Sequence, residues 1–561
     1  MIDLKARPFC LSDKEIDLVC SLLDSMTVQE KVGQLFCPIS YSSDEEYLKH
    51  ELLEWNVGGV LYKTSPSAEV RSALHFMQTH SKIPLLCAAN LEFGSTGFLE
   101  DGTLFGQQMA VGATGKEEHA YRLGYVSCNE AVSVGCNIAF APVSDIDLNW
   151  RNPIVNVRSY GKDPEKVLAM CKAYMKGASE NGVAVSVKHF PGDGVDEVDQ
   201  HLLVSVNTLG CAEWEKTYGV IYRGMIENGA QTFMVGHIDQ PAWRHRLNPR
   251  LPESTVPATL SPELMTGLLR EHLGFNGVII TDATPMVGYH CAMKRSEAIP
   301  TSIAAGADII LFNKNLAEDF GFMMEGLRNG ILTKERLDEA VTRILALKVS
   351  MGLFKKPAAE LIPPESAMSS IGCKKHHEWA SSLASDAITL VKDTPRALPM
   401  NSEKTPRLLL EVLGDCASVE HIAGYMVKKL TDEGFAVTLY TPEDFATYKF
   451  GVKPFTDSYD AVLYLANIEN ASNKTTNRIS WSTFWGHGNN VPWFVHEVPT
   501  YFVSLANPYH LIDVPMIGTC VNCYSNNTET LDALVEKLMG RDDFRGISPV
   551  DPFLGKEYLR Y

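Results

Sequence analysis

No run of apolar residues in this 561-residue chain is long enough to span a bilayer. Positive charge is in deficit: 50 Lys and Arg stand against 68 Asp and Glu, a formal net charge of -18. That balance argues against a nucleic-acid partner and against an anionic membrane surface. No GxGxxG fingerprint appears, so a dinucleotide-binding sheet has no support. Internal repeats and low-complexity tracts are also lacking. Cys520-Val521-Asn522-Cys523 is a CxxC without a second pair nearby, a weak signal for metal or redox chemistry that reads as packing. The 13 cysteines are odd in number and scattered, which fits reduced thiols rather than a disulfide framework. The opening residues, MIDLKARPFCLSDKEIDLVC, carry charges throughout and have no apolar core of signal-peptide length, so a cytoplasmic location is expected. No feature calls for a metal or organic cofactor.

What is present is a globular composition, 45% hydrophobic and 21% charged, at a length that predicts two or three domains. From Val57–Leu61 onward, short apolar strands alternate with amphipathic helices. Strands are expected at residues 83–89, 137–142, 183–187, 231–236, 277–281 and 307–311. Consecutive strand-helix units with apolar strands predict a parallel sheet covered on both faces, and their number favours a closed (β/α)8-type TIM barrel. A long helix, Thr333 to Met351, would close that domain. The stretch Phe354 to Pro364 has three prolines and no helical stripe, as a linker would. Residues 1–354 are therefore assigned to the barrel, 355–375 to a linker and 376–561 to a smaller α/β layered-sheet domain. Strands there are expected at 407–412, 436–440, 461–465, 500–505 and 514–519, after a helix around 377–391.

One stretch stands out, VSVKHFPGDGVDEVDQHLL from Val185 to Leu203. A β-branched run ends at Lys188-His189, and the chain turns at Pro191, Gly192 and Gly194. An acid-rich loop then carries Asp199-Gln200-His201. On an extended loop, residues two apart lie on the same side, so Asp199 can hold the His201 tautomer and stabilise its cation. A general acid/base histidine needs that near neutral pH. Equally, Asp199 could cap a turn and His201 could pack at the surface. Other polar groups at expected strand ends are Asn90, Glu92, Asp145, Asp147, His237, Asp239 and Asp282. Asp282 ends the apolar strand Gly277-Val278-Ile279-Ile280-Thr281. It reads either as a site carboxylate or as the N-cap of the next helix.

This pattern resembles glycoside hydrolase family 3. Its Lys-His-Phe-Pro-Gly-His-Gly motif is matched at Lys188, His189, Phe190, Pro191, Gly192 and Gly194, with Asp193 in place of the second histidine. Met26 to Phe36 resembles the family's opening signature, although Thr27 and Glu30 also form a capping box in their own right. Arg158-Ser159-Tyr160-Gly161-Lys162-Asp163-Pro164 resembles its sugar-contacting loop, and "LGFNGVIITDATPM" its nucleophile strand. Asp199-x-His201 is similar to the β-N-acetylglucosaminidase branch. The resemblance implies Asp282 as nucleophile, His201 oriented by Asp199 as acid/base, and a retaining mechanism. It also implies sugar contacts from Lys188, His189, Arg158, Asn90, Asp193 and His237. For Arg158 the plain alternative is a loop salt bridge with Asp163.

Three departures bear on specificity. Asn90-Leu91-Glu92-Phe93-Gly94 replaces the usual Asp-Gln-Glu-Gly-Gly, and Phe98 lies near where an arginine is usual. Asp193 adds negative charge that would favour the His201 imidazolium. The expected function is an exo-acting β-N-acetylhexosaminidase releasing terminal β-linked N-acetylglucosamine from small glycans or cell-wall fragments, its partner a carbohydrate. A β-glucosidase or β-xylosidase is the alternative. Those relatives place a glutamate acid/base on the second domain, where Glu497 beside His496 is one candidate. A histidine base also leaves room for phosphorolysis, and a non-catalytic sugar-binding protein is a third class.

Overall fold

The computed structural model describes residues 2–440, 451–481 and 491–561. It divides into two compact units. One takes the chain up to Phe105, then Ala120–Asn152 and Asp163–His376. The other takes Gly106–His119, Pro153–Lys162 and His377–Tyr561.

The first unit is a ring of parallel strands. Strand β1 (Phe36–Cys37) and β2 (Ile39–Ser40) are two pieces of one run broken at Pro38, which has no N–H to give a ladder. They are followed by β3 (Gly59–Tyr62), β4 (Leu86–Ala89), β5 (Ile138–Ala139) and β6 (Ala184–Phe190). Next come β7 (Ser205–Val206), β8 (Thr232–Val235), β9 (Ile238–Asp239), β10 (Val278–Thr281) and β11 (Ile310–Leu311). Seven of these lie in one sheet in the order β10-β8-β6-β5-β4-β3-β2. The ring closes because β1 pairs with β11, Phe36 opposite Ile310, while Ile280 bridges Ile309 between β10 and β11. Strand β6 is buried at all of its positions, as a strand between barrel interior and helix layer must be.

The expected barrel is thus observed, with one strand that pattern alone did not bring out. The run around Pro38 has too few residues on either side of the proline to read as a strand. Local chemistry starts the helices as predicted. Thr27 Oγ1 accepts from the Glu30 N–H at 3.2 Å while Glu30 Oε2 accepts from the Thr27 N–H at 2.8 Å. The stretch expected as a linker is held against the first unit. Arg71 donates to Pro363 O, Ile362 is buried, and the Gly372 N–H donates to Glu130 Oε1.

The second unit is built on a six-stranded sheet. Its strands are β12 (Thr389–Asp393), β13 (Arg407–Gly414), β14 (Ala436–Leu439), β15 (Ala461–Asn467), β16 (Thr500–Ser504) and β17 (Thr519–Asn522), in the order β12-β17-β16-β15-β13-β14. Only β12 runs antiparallel. One face carries Leu408, Leu410, Leu463 and Val503 against helices Ser418–Asp432 and Thr528–Leu538. The other carries Leu409, Tyr464 and Phe502 into a separate aromatic core. Two expectations shift here. The helix before β12 ends at Ala387, because Thr389–Asp393 joins the sheet edge instead of prolonging it. The last strand starts at Thr519 and not at Val514, since residues His510–Asp513 wind into a short 3-10 turn.

Candidate active site

Strand β6 delivers Lys188 and His189 at its C-terminal end. The chain then reverses at Gly192, whose φ of +114° and whose missing Cβ are both required. A Cβ there would lie 2.3 Å from the Tyr218 ring. Lys188 Nζ meets Glu92 Oε1 at 2.6 Å, both side chains buried. Glu92 therefore enters the site as the partner of Lys188, while Asn90, at the same strand end, is exposed.

Two aspartate-histidine pairs form from this stretch. In the first, Asp145 takes the His189 N–H at 3.1 Å and the Asp193 N–H at 2.9 Å on one oxygen, and His189 Nδ1 at 2.6 Å on the other. This fixes His189 with Nε2 facing Asp282 Oδ2 at 3.9 Å. In the second, Asp199 Oδ1 accepts from the His201 backbone N–H at 2.9 Å and from Nδ1 at 2.7 Å. Asp199 is fully buried and His201 a quarter exposed, so the carboxylate engages Nδ1 and sets the orientation of the ring. The sequence pointed to the second pair through its spacing. The first spans 44 residues and joins two strand ends, so no local signal could reveal it.

Asp282 lies at the end of β10, its N–H donating to Val235 O. Burial alone would push its carboxyl up. The charges of His189, His237 and His201 and the Ala283 N–H outweigh that and hold it below the ordinary carboxylate value. An aspartate kept ionised despite its burial is equipped to attack an electrophilic carbon and to balance positive charge there. It is not the cap of the next helix, Val287–His290, which starts from Met286; its Oδ1 accepts from the neighbouring Ala283 N–H at 2.7 Å.

His237 and Asp193 act as supports. His237 is fully buried, with Nδ1 at 2.9 Å from Thr259 Oγ1 and Nε2 at 3.0 Å from Ala283 O. Burial lowers its basicity against the pull of Asp282, and Nε2, which faces a carbonyl that can only accept, donates there. Asp193 is buried in the loop and accepts from Gly194 N at 2.7 Å, Asn152 Nδ2 at 3.1 Å and Gln200 Nε2 at 3.4 Å. The carboxylate that replaces the family histidine therefore organises the 193–201 turn through its donors. Asp239 is spent on a buried pair with Arg244.

Arg158 falls in the second unit, where its Nη1 donates to Ile154 O and its carbonyl accepts from Gln108 Nε2. Asp163, the alternative partner, caps helix Pro164–Glu180 through the N–H groups of Glu165 and Lys166. Glu497 sits on an exposed turn. A carboxylate just past the end of β15 in this unit is Glu469, which sequence reasoning did not find. Its Oε1 accepts from Ser418 Oγ at 2.8 Å, Asn467 Nδ2 at 3.0 Å and Asn526 Nδ2 at 2.6 Å. Ser418 follows β13, and Asn467 and Glu469 stand at the end of β15, the two strands between which the order reverses, the customary ligand crevice of an open α/β sheet. That reversal is a property of topology and cannot be read locally.

Sequence comparison supplies the rest. The profile of the Glycosyl hydrolase family 3 N terminal domain matches residues 27–347. The chain belongs to glycosyl hydrolase family 3. It is 44% identical to a Cellulomonas fimi protein named beta-N-acetylglucosaminidase/beta-glucosidase, over 99% of both chains. The solved structure of a beta-glucoside phosphorylase, BglX, superposes with a TM-score of 0.92 at 43% identity, covering 99% of each chain. A family 3 beta-N-acetylglucosaminidase from Paenibacillus superposes at 0.79 over 94% of this chain and 99% of the other, with 23% identity, a likeness of fold. The protein is accordingly a family 3 glycoside hydrolase, and among its described residues no helix is long and apolar enough to cross a membrane.

Proposed function

We propose that this enzyme is a retaining exo-glycosidase acting on terminal β-linked N-acetylglucosamine, with glucose accepted in the same site. Asp282 attacks the anomeric carbon as the bond to the leaving oxygen breaks, giving a glycosyl-Asp282 ester. His201 passes its Nε2 proton to that oxygen. The neutral imidazole then takes a proton from the incoming acceptor, which displaces Asp282 from the opposite face, so that two inversions retain the β configuration. Lys188, His189 and Asn90 present donors to the ring hydroxyls, and Glu92 fixes Lys188. One observation carries the reading: a formed Asp199-His201 pair whose charge acts at the nucleophile candidate Asp282. The doubly named relative supports the pair of sugars.

Phosphate in place of water as acceptor is the second reading. A base that is neutral when the acceptor arrives does not repel a phosphate dianion as a carboxylate would. Similarity to a phosphorylase at 43% identity favours it.

The test uses chromogenic β-N-acetylglucosaminide and β-glucoside with purified protein, with and without phosphate, and chromatography of the sugar product. Asp282→Asn is expected to lose about 10⁴-fold or more, and His201→Ala roughly 10²–10⁴-fold. A β-glucosidase activity that survives His201→Ala would move the acid/base to another group. Glycosyl phosphate as product would establish phosphorolysis.

A further inference from the structure

Gln200 stands between the two members of the Asp199-His201 pair, and its side chain is buried. Its Oε1 accepts from the His237 backbone N–H at 2.7 Å. That N–H can only donate, so the amide has one orientation and Nε2 is its other end. Nε2 donates to Asp193 Oδ2 at 3.4 Å. The Gly194 N–H at 2.7 Å and Asn152 Nδ2 at 3.1 Å both go to Asp193 Oδ1, so Oδ2 is the oxygen turned to Gln200. His237 lies two residues past Val235, whose carbonyl accepts from the Asp282 N–H at 2.8 Å. The Gln200 amide therefore fastens the peptide between Asp199 and His201 to the end of β8, the strand to which Asp282 is itself hydrogen-bonded. Gly288 lets the following segment close over that peptide, because a Cβ there would lie 2.4 Å from Gln200 O.

Resting on the function proposed above, we infer that Gln200 is a positioning residue for the acid/base His201, acting through a matched pair with Asp193. A general acid must stand within hydrogen-bond reach of the leaving oxygen. A displacement of about 1 Å can cost on the order of 10²-fold in rate. The bonds from Asp193 to Gln200 and from Gln200 to the His237 N–H fix where the Asp199-His201 pair stands relative to Asp282. The match has a direction, donor on Gln200 and acceptor on Asp193, so either partner changed alone breaks it. Gln200→Glu sets two carboxylates against each other. Asp193→Asn sets two NH2 groups against each other, since its oxygen stays with Gly194 and Asn152. Both changes together exchange donor and acceptor, keep the named bonds and leave the charge of the pair as it was.

The experiment compares phenyl and dinitrophenyl β-glycosides of the sugar that the wild type prefers. A phenolate needs the acid's proton to leave, whereas a dinitrophenolate leaves without it. Wild type, Gln200→Glu, Asp193→Asn, the double variant and His201→Ala are assayed on both donors. Each single variant should lose about 10²-fold in kcat on the phenyl donor, with KM little changed, and only a few-fold on the dinitrophenyl donor. The double variant should return to within about tenfold of wild type on the phenyl donor. That recovery, in a chain carrying both replacements, excludes misfolding as the cause of the single losses. Equal losses on the two donors, or a double variant no better than the poorer single one, would overturn the positioning role. If His201→Ala shows no selective loss on the phenyl donor, the acid/base assignment falls and this inference with it. A wild type inactive on both donors would remove the glycosidase reading itself.

Discussion

At the scale of single residues, the site depends on three imidazoles placed around one carboxylate. His189, His237 and His201 each lower the cost of keeping Asp282 ionised, against burial that opposes it. Removing His189 should therefore let the burial effect advance. The sign follows directly: the nucleophile must be a carboxylate, so raising its pKa shifts the loss of activity on acidification to higher pH. In His189→Asn the acidic limb of the kcat/KM profile is expected to move upward, and a profile with that limb unmoved would show that His189 acts on substrate alone. The Asp145 bond adds a second consequence, since a ring held at Nδ1 by a buried carboxylate cannot rotate to swap the nitrogen it offers.

At the scale of elements, buried carboxylates hold the loops from outside the ring. Glu130, on helix Glu117–Ser133, accepts from Thr103 N at 2.8 Å, Thr103 Oγ1 at 2.6 Å, Gly372 N at 3.1 Å, His376 Nδ1 at 2.6 Å and also Ser95 Oγ. It thereby ties the loop that follows Glu92 to the segment preceding the second unit. Burial alone would raise its pKa, but these donors hold it below the ordinary value. An amide of the same shape would turn an NH2 toward a backbone N–H, that of Thr103 on one side or Gly372 on the other, which can only donate. Glu130→Gln should therefore cost about 3 kcal/mol of unfolding free energy, read by urea denaturation.

None of this hub was legible in the sequence, where Glu130 is one polar residue inside an amphipathic helix. Apolar strands and their turn residues were legible, because burial on both faces writes itself as continuous Val and Ile runs. So was Asp199-x-His201, whose partners are two residues apart. Contacts that cross from one strand end to another, such as Asp145 with His189, were not. Nor was β1, where Pro38 divides the run, or the position of Glu469 at a strand-order reversal.

At the scale of the whole molecule, closing the barrel buries a lysine that no acid pairs with among the described residues. Helix Lys334–Ser350 packs against helix Asp13–Ser25 and places Lys348 in full burial, where Nζ donates to Gln34 Oε1 at 2.7 Å. Burial lowers the lysine to about 7, with the thiols of Cys87 and Cys37 pulling weakly the other way. The unfolded chain keeps the ordinary value near 10.5. Below pH 7 both states hold the proton and folding bears the full cost of a buried cation. Between 7 and 10.5 the unfolded chain holds a proton that the folded one has released, so stability from this group rises with pH. Lys348→Met removes that dependence and leaves Gln34 Oε1 without its donor, a loss of about 1–3 kcal/mol that does not vary with pH. Relative to wild type, the variant should thus fare better at pH 6 than at pH 9.5, by about 2–4 kcal/mol between the two conditions. Chemical denaturation at both pH values measures it. A difference independent of pH would mean that Lys348 keeps its charge across the range, with the barrel base supplying a stronger compensation than one glutamine.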